Sequence, residues 1–213
     1  MPRLKPDTQR ARREHILDAA FRCFARGGFH ATTMQDICRE AAVSPGALYV
    51  YFSSKEALIE GLCERDRAEF AERFQSVAAA PDFLTALEAL GQHYLIDEDP
   101  DKMRFHVEMG VEATRNPRVA EIFRSVDKFC ANSFEDLFER MKEDGRIAPR
   151  IDVPSLARVF NVLGDGMFWR RATDPNFDLG SVLPVLTGLI GHLMNPVEGG
   201  GSNPDQMPRE VRT

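Results

Sequence analysis

The 213-residue chain has one tryptophan, three tyrosines and four cysteines, and each scarcity excludes something. Cys23, Cys38, Cys63 and Cys130 lie far apart, with no CxxC pair and no histidine at zinc-ligand spacing. They read as reduced, mostly buried thiols rather than a disulfide framework or a metal knuckle. No apolar run approaches the roughly 18 residues that a membrane span requires, so no membrane partner is expected. The opening MPRLKPDTQRARRE is polar and basic, without the apolar stretch of a secretory signal, and a cytoplasmic setting is expected. No glycine-rich phosphate loop and no nucleophile–base pair can be assembled, and His93, His106 and Glu108 do not repeat at helix-ligand spacing. Neither an enzyme, nor a cofactor, nor a metal site is expected.

What is present is charge asymmetry. Residues 1–55 carry nine basic side chains against five acidic ones, a surplus of four inside a total of −6, which leaves the remainder at −10. A basic head on an acidic body suits a polyanion-binding end joined to a part with another task.

Apolar residues recur at helical spacing almost throughout, with no sustained strand alternation, so the fold class is all-α with about nine helices. The first helix is expected over 9–26, with Ile16, Leu17, Ala20, Phe21 and Phe24 on one stripe. Gly27 and Gly28 end it, and Phe29 plugs a small core. Thr33 opens a second helix, with Asp36 completing an approximate capping box. Ser44-Pro45 starts a short third helix over 45–50, and Ser53 or Ser54 caps a long fourth one. Further helices are expected over 82–96, 101–114, 118–144, 154–173 and 179–194, between proline and Asp-Gly punctuation. Three parts result: a head over 1–55 whose residues 1–9 form a flexible arm, a helical body over 56–195, and a disordered tail over 196–213.

The tight Ala42-Val43-Ser44 link joins two short helices into a helix-turn-helix braced by the first. The segment TTMQDICREAAVSPGALYVYFSSKEAL resembles the tetracycline-repressor (TetR) family of bacterial transcription regulators. The likeness rests on Thr32, Thr33, Ile37, Ala41, Val43, Ser44, Gly46, Leu48, Tyr49, Tyr51, Phe52, Ser54, Lys55, Glu56 and Leu58, and it covers about residues 10–60. Ala42 departs from the pattern, which usually has glycine there. The resemblance implies a ligand-responsive regulator, most simply a repressor released from operator DNA by a small lipophilic or aromatic effector. The alternative is a protein-interaction adaptor on the same fold, against which Lys55, Tyr49 and the basic head argue.

Val43, Leu48 and Phe52 read as core. Tyr49 and Tyr51 pair a ring with a hydroxyl able to reach a phosphate, and Lys55 at a helix start is better explained by an external anion than by the helix dipole. Thr33 and Ser44 cap helices and can offer donors to phosphate; Pro45 and Gly46 lie at the same helix start. The recognition helix PGALYV lacks Arg, Asn, Gln and Lys, so base reading falls to Ala47, Val50, Tyr49 and Gln35, and to DNA shape. Arg3, Lys5 and Arg10 form an arm that could enter a minor groove.

In the regulators this chain resembles, the last two helices pair with their twins. Here that seam would use Leu156, Phe160, Leu163, Met167, Leu183, Leu186, Leu189, Ile190 and Leu193, giving a homodimer. The effector pocket is expected to be lined by Phe105, Met109, Glu112, Phe134, Asn161, Asp165 and Trp169.

Overall fold

The computed structural model describes residues 6–174 and 176–197. The arm residues Arg3 and Lys5 and tail residues 198–213 lie outside that range. Among the described residues nine α-helices follow in order: α1 (Pro6–Ala31), α2 (Met34–Glu40), α3 (Pro45–Tyr51), α4 (Lys55–Ala78), α5 (Phe83–Gly91), α6 (Pro100–Ala113), α7 (Pro117–Glu143), α8 (Val153–Thr173) and α9 (Leu179–Met194). Among the described residues there is no strand, only an isolated antiparallel bridge between Ile147 and Pro196.

The helix starts follow from local chemistry. Each of α2 to α9 is preceded by a Thr, Ser, Asp or Asn whose side chain accepts from an otherwise unpaired first-turn amide. Proline follows the cap in α3, α6 and α7, where its missing N–H costs no bond. The expected starts therefore hold to within a residue or two, except at α1, which begins at Pro6. Arg10 thus lies on a helix and not in a flexible arm.

One expectation is met and two further ones are corrected. The first helical run breaks where expected, at Gly27-Gly28, with Gly28 at a positive φ (φ 73°, ψ 169°), and a short further turn carries α1 on to Ala31. Thr32 holds that turn by donating to the carbonyls of Gly28 (2.8 Å) and Cys23 (3.1 Å). The stretch 82–96 is not one α-helix, because Gln92–Ile96 forms a wider π-helical turn after α5. Such turns add a residue and swing side chains off the helical register. Pro196 and Val197, expected in the disordered tail, pair with the α7–α8 loop, where the Val197 amide donates to the Arg146 carbonyl at 3.0 Å.

The head core gathers Ile16, Leu17, Phe24, Phe29, Ile37, Leu48, Phe52, Leu58 and Leu62. It does not close at residue 55, since Phe105 and Met109 of α6 and Val119 and Ile122 of α7 belong to the same cluster. A second core joins the far half of α4 to α5, α7, α8 and α9, and a small third one joins Leu95 to Leu179 and Leu183. Helix α4 runs through both large cores. At Gly61 it passes so close to α1 that an added Cβ would lie 3.0 Å from Leu17 and from Phe52.

Candidate nucleic-acid interface and effector-binding body

The helix-turn-helix is held rigidly. Leu48 (0 % exposed) and Phe52 are buried as expected, and Val43 packs half-buried against them. The turn places Ala42 at φ 50°, a left-handed conformation that costs an alanine roughly 1–2 kcal/mol relative to its preferred backbone. His15 of α1 braces the same turn through a 2.9 Å hydrogen bond to the Ala41 carbonyl.

With the inner face of α3 thus committed, its outer face presents Pro45, Gly46, Tyr49 and Val50; the last two are 54 % and 80 % exposed. Nothing approaches the position of a Gly46 Cβ within 4 Å, so no packing inside the chain calls for a glycine there. Gln35 is exposed on α2, whereas Ala47 and Tyr51 are half-buried.

Two expected phosphate ligands are already occupied. The Thr33 amide and hydroxyl both donate to the Asp36 carboxylate (2.8 and 2.6 Å). Those bonds, with Arg39 beside them, hold Asp36 down at about 2. The Lys55 ammonium donates to the Phe29 carbonyl at 2.5 Å and sits 4.1 Å from the Phe29 ring centroid. Burial lowers the Lys55 pKa, with Glu56 and Glu112 opposing. An external anion is therefore not needed to account for Lys55, although an ammonium has three donors and only one is used here. Much of the basic surplus is likewise paired: Arg22 and Arg26 with Glu40, Arg39 with Asp36. Arg10 and Arg12 are exposed and make no ion pair among the described residues.

The seven expected pocket residues are not brought together. Phe105 and Met109 lie in the head-side core, and the Glu112 carboxylate is buried there against His30 at 2.8 Å. Phe134 belongs to the body core, 4.3 Å from the Phe160 ring centroid. Asn161 is half-buried beyond it on α8, Asp165 lies at the rim, and Trp169 stands 49 % exposed on the outer face. Partial burial of the carboxyl and the Asp127 charge raise the Asp165 pKa.

The body instead centres on Phe70, which sequence reasoning passed over. Phe70 of α4 is ringed by Phe74, Tyr94, Phe129 and Phe134, with centroids 5.3–6.1 Å away. In this body His93 Nε2, Tyr94 Oη and Asn161 Nδ2 are buried with no hydrogen-bond partner. Buried polar atoms without a hydrogen-bond partner are rare, although His93 Nε2 does lie 4.0 Å from Glu69 Oε1. Two of the three are carried by the π-helical turn. Nearby, Lys102 is gripped by Glu98 (3.2 Å), Glu69 (3.3 Å) and Asp66 (3.8 Å). Burial would lower its pKa, but those carboxylates outweigh burial and raise it.

Three residues of the expected dimer seam are corrected as well. Leu156, Leu183 and Ile190 are buried inside the protomer, Phe160, Leu163 and Leu193 pack against the body core, and Met167 packs on the third cluster. Leu186 is half-buried, and of the nine residues only Leu189 is exposed, at 46 %. The apolar residues that α8 and α9 turn outward are Val159, Val162, Trp169, Val185 and Leu189. Gly164, Gly166 and Gly188 of the same two helices have open space where a Cβ would be.

A capped helix-turn-helix on an all-helical body with an aromatic, partly unsatisfied interior is the architecture of a DNA-binding regulator. Sequence comparison agrees in both parts. Residues 16–62 match the family described as bacterial regulatory proteins, tetR family, and residues 83–194 match the C-terminal region of BetI-type transcriptional repressors. The transcriptional regulator UidR of Escherichia coli K12 is 31% identical over 200 residues, spanning 85% of this chain and 92% of UidR. The structure of Salmonella enterica GusR superposes with a TM-score of 0.75 at 29% identity, over 86% of this chain and 95% of GusR. The SmeT–triclosan complex shares the fold at a TM-score of 0.74 and 22% identity, over 95% of this chain and 100% of that one. The chain belongs to the tetR family of bacterial regulatory proteins. It is a DNA-binding transcription regulator and not an enzyme. No helix among the described residues is long and apolar enough to cross a membrane.

Proposed function

We propose that the protein acts in the cytoplasm as a homodimeric repressor that a small lipophilic or aromatic effector releases from its operator. The observation that carries this reading is the continuity of α4. Its 24 residues start at the Ser54 cap beside the recognition helix and end in the aromatic body, about 36 Å away at 1.5 Å per residue. A ligand lodged against Phe70 and Phe134 would meet the helix that carries the head. Two heads must reach consecutive major grooves about 34–36 Å apart, so a small change in their spacing abolishes binding.

On DNA, residues 1–55 act as the reading unit. Tyr49, Val50, Ala47 and Gln35 meet the bases, while the backbone of Ser44, Pro45 and Gly46 approaches a phosphate closely. Tyr51, Thr33, Lys55 and Arg10 bind the phosphate backbone, Thr33 by loosening its hold on Asp36. Lys5, outside the described residues, supplies further positive charge for the phosphates. The twin subunit docks on Val159, Val162, Trp169, Val185 and Leu189, where the open glycines admit a close helix approach. The sensing chamber uses Phe70, Tyr94, Phe134 and Asn161, with Asp165 at its rim.

The test is a salt titration of operator binding, using DNA selected from a random pool. Lys55→Ala is expected to weaken binding at every sequence and to make the log–log salt slope shallower by about 0.9 for each phosphate left without its lysine, twice over in a dimer. An unchanged affinity and slope in the folded variant would remove Lys55 from the interface. Absence of any selected DNA for the wild type would remove the reading itself.

A further inference from the structure

Glu112 is the only charged residue buried among the described residues, at 4 % exposure. A buried carboxylate is costly unless paired, and an apolar side chain of similar size would serve packing better. Its neighbours come from both sides of the junction between head and body. On the α1 side, His30 Nε2 lies 2.8 Å from Glu112 Oε2 and itself sits edge-on to Phe29. On the α4 side, the Lys55 ammonium is held on the Phe29 carbonyl and lies within the electrostatic reach of Glu112 and Glu56. Glu56 in turn accepts from the side chain of Asn116 at 3.2 Å, and the Asn116 amide donates to the Glu112 carbonyl at 2.9 Å. One turn earlier on α6, the Glu108 carboxylate fills the space beside Gly28, 3.0 Å from where a Cβ would stand. The kinked end of α1, the start of α4 and the end of α6 thus meet around one buried charge.

We propose that Glu112 is a positioning residue for DNA binding: through His30, and across to Lys55, it ties the last turn of α6 to the turn of α1 that ends at Phe29 and to the first turn of α4. The proposal rests on the repressor reading above and adds the residue through which the body sets the head. Neither α1 nor α4 alone determines the head's orientation, because Phe29 and Lys55 are locked together and both answer to the same carboxylate on α6. Loss of the carboxylate leaves the head folded but lets it sample orientations, and binding two half-sites then carries an added ordering cost.

The experiment measures operator affinity, salt slope and thermal unfolding for the wild-type dimer, Glu112→Gln, His30→Ala and the double variant. Each single change is expected to weaken binding by about five- to fiftyfold, and the double variant by no more than the larger single effect, with the slope unchanged. Unchanged or tightened affinity overturns the proposal, as do additive effects or losses that track a lowered melting temperature. A shallower slope for His30→Ala also overturns it, since His30 would then touch phosphate directly. Should Glu112→Gln fail to fold, His30→Ala decides alone: its side chain is 67 % exposed and leaves no cavity. If the wild type binds no DNA, the repressor reading fails first and takes this one with it; wild-type binding with unaltered variants fails this one only.

Discussion

In the head, α2, α3 and α4 each begin at a side-chain cap, and no buried side-chain polar atom lacks a partner there among the described residues. In the body, three such atoms lack a hydrogen-bond partner, and the helix that carries two of them widens into a π turn. Polar groups satisfied from within make one arrangement cheaper than all others, whereas unsatisfied ones leave several arrangements close in energy. On the function proposed above, the head keeps its shape against DNA and the body changes when an effector completes it. The two surfaces differ in the same sense. Tyr49 and Val50 stand exposed on the outer face of α3, beside the polar cap of its first turn, while Val162, Val185 and Leu189 offer a dry apolar face on α8 and α9.

The most drastic way to separate the two regions is Leu189→Glu. A carboxylate in an apolar seam costs several kcal/mol, roughly the scale of the association itself, so light scattering should report monomers at micromolar concentration while circular dichroism stays helical. Operator binding should vanish although no head residue has changed. A stable dimer would show that the outward face of α9 is not the seam.

A smaller effect separates the interiors. Tyr94→Phe removes a buried hydroxyl that has no partner and should stabilise the effector-free protein by about 1 kcal/mol in a denaturant melt. If stability falls instead, the hydroxyl is satisfied and the body is less poised than its structure implies. Of similar size is the effect of Ala42→Gly, which relieves the φ of 50° and should raise head stability by about 1 kcal/mol. The gain should be absent from hydrogen exchange in α8 and α9 if the head opens as its own unit.

The slightest effect is on pH. The Asp36 carboxylate is held down at about 2 in the folded head, below its ordinary 3.8. A depressed carboxylate stabilises above its unfolded pKa and loses that contribution as pH falls through the folded value. Acid titration of the head should therefore show a loss between about pH 4 and 2 that Asp36→Asn flattens. An identical acid limb in the two proteins would mean that the capping box is open in solution.

The head and the helix starts were legible because their signals are local: Ser44-Pro45, Asp99-Pro100 and Asn116-Pro117 each state a cap and a first turn within two residues. The outward faces of α8 and α9 were not, because both helices carry two apolar stripes. Leu156, Leu183 and Ile190 are as apolar as Val159, Val185 and Leu189, and periodicity cannot say which stripe meets its own protomer. Glu112 was assigned to a pocket for a related reason. Its partner His30 lies far away in sequence, and only the close packing of α1 on α6 joins them. The π turn left no signal in composition, so His93 and Tyr94 passed as ordinary helix residues.

The tight approach at Gly61 gives α4 the mechanics of an unequal lever. From Gly61 to Lys55 is about 9 Å of helix and from Gly61 to Ala78 about 25 Å, at 1.5 Å per residue. A rod turning about that point divides displacement by nearly three on its way to the head and multiplies force by the same ratio. A ligand would have to spread the far end by several ångströms to shift the recognition helix by one or two. Thermal jostling of the body, which rarely reaches that amplitude in a packed core, would be filtered out before it reached the operator.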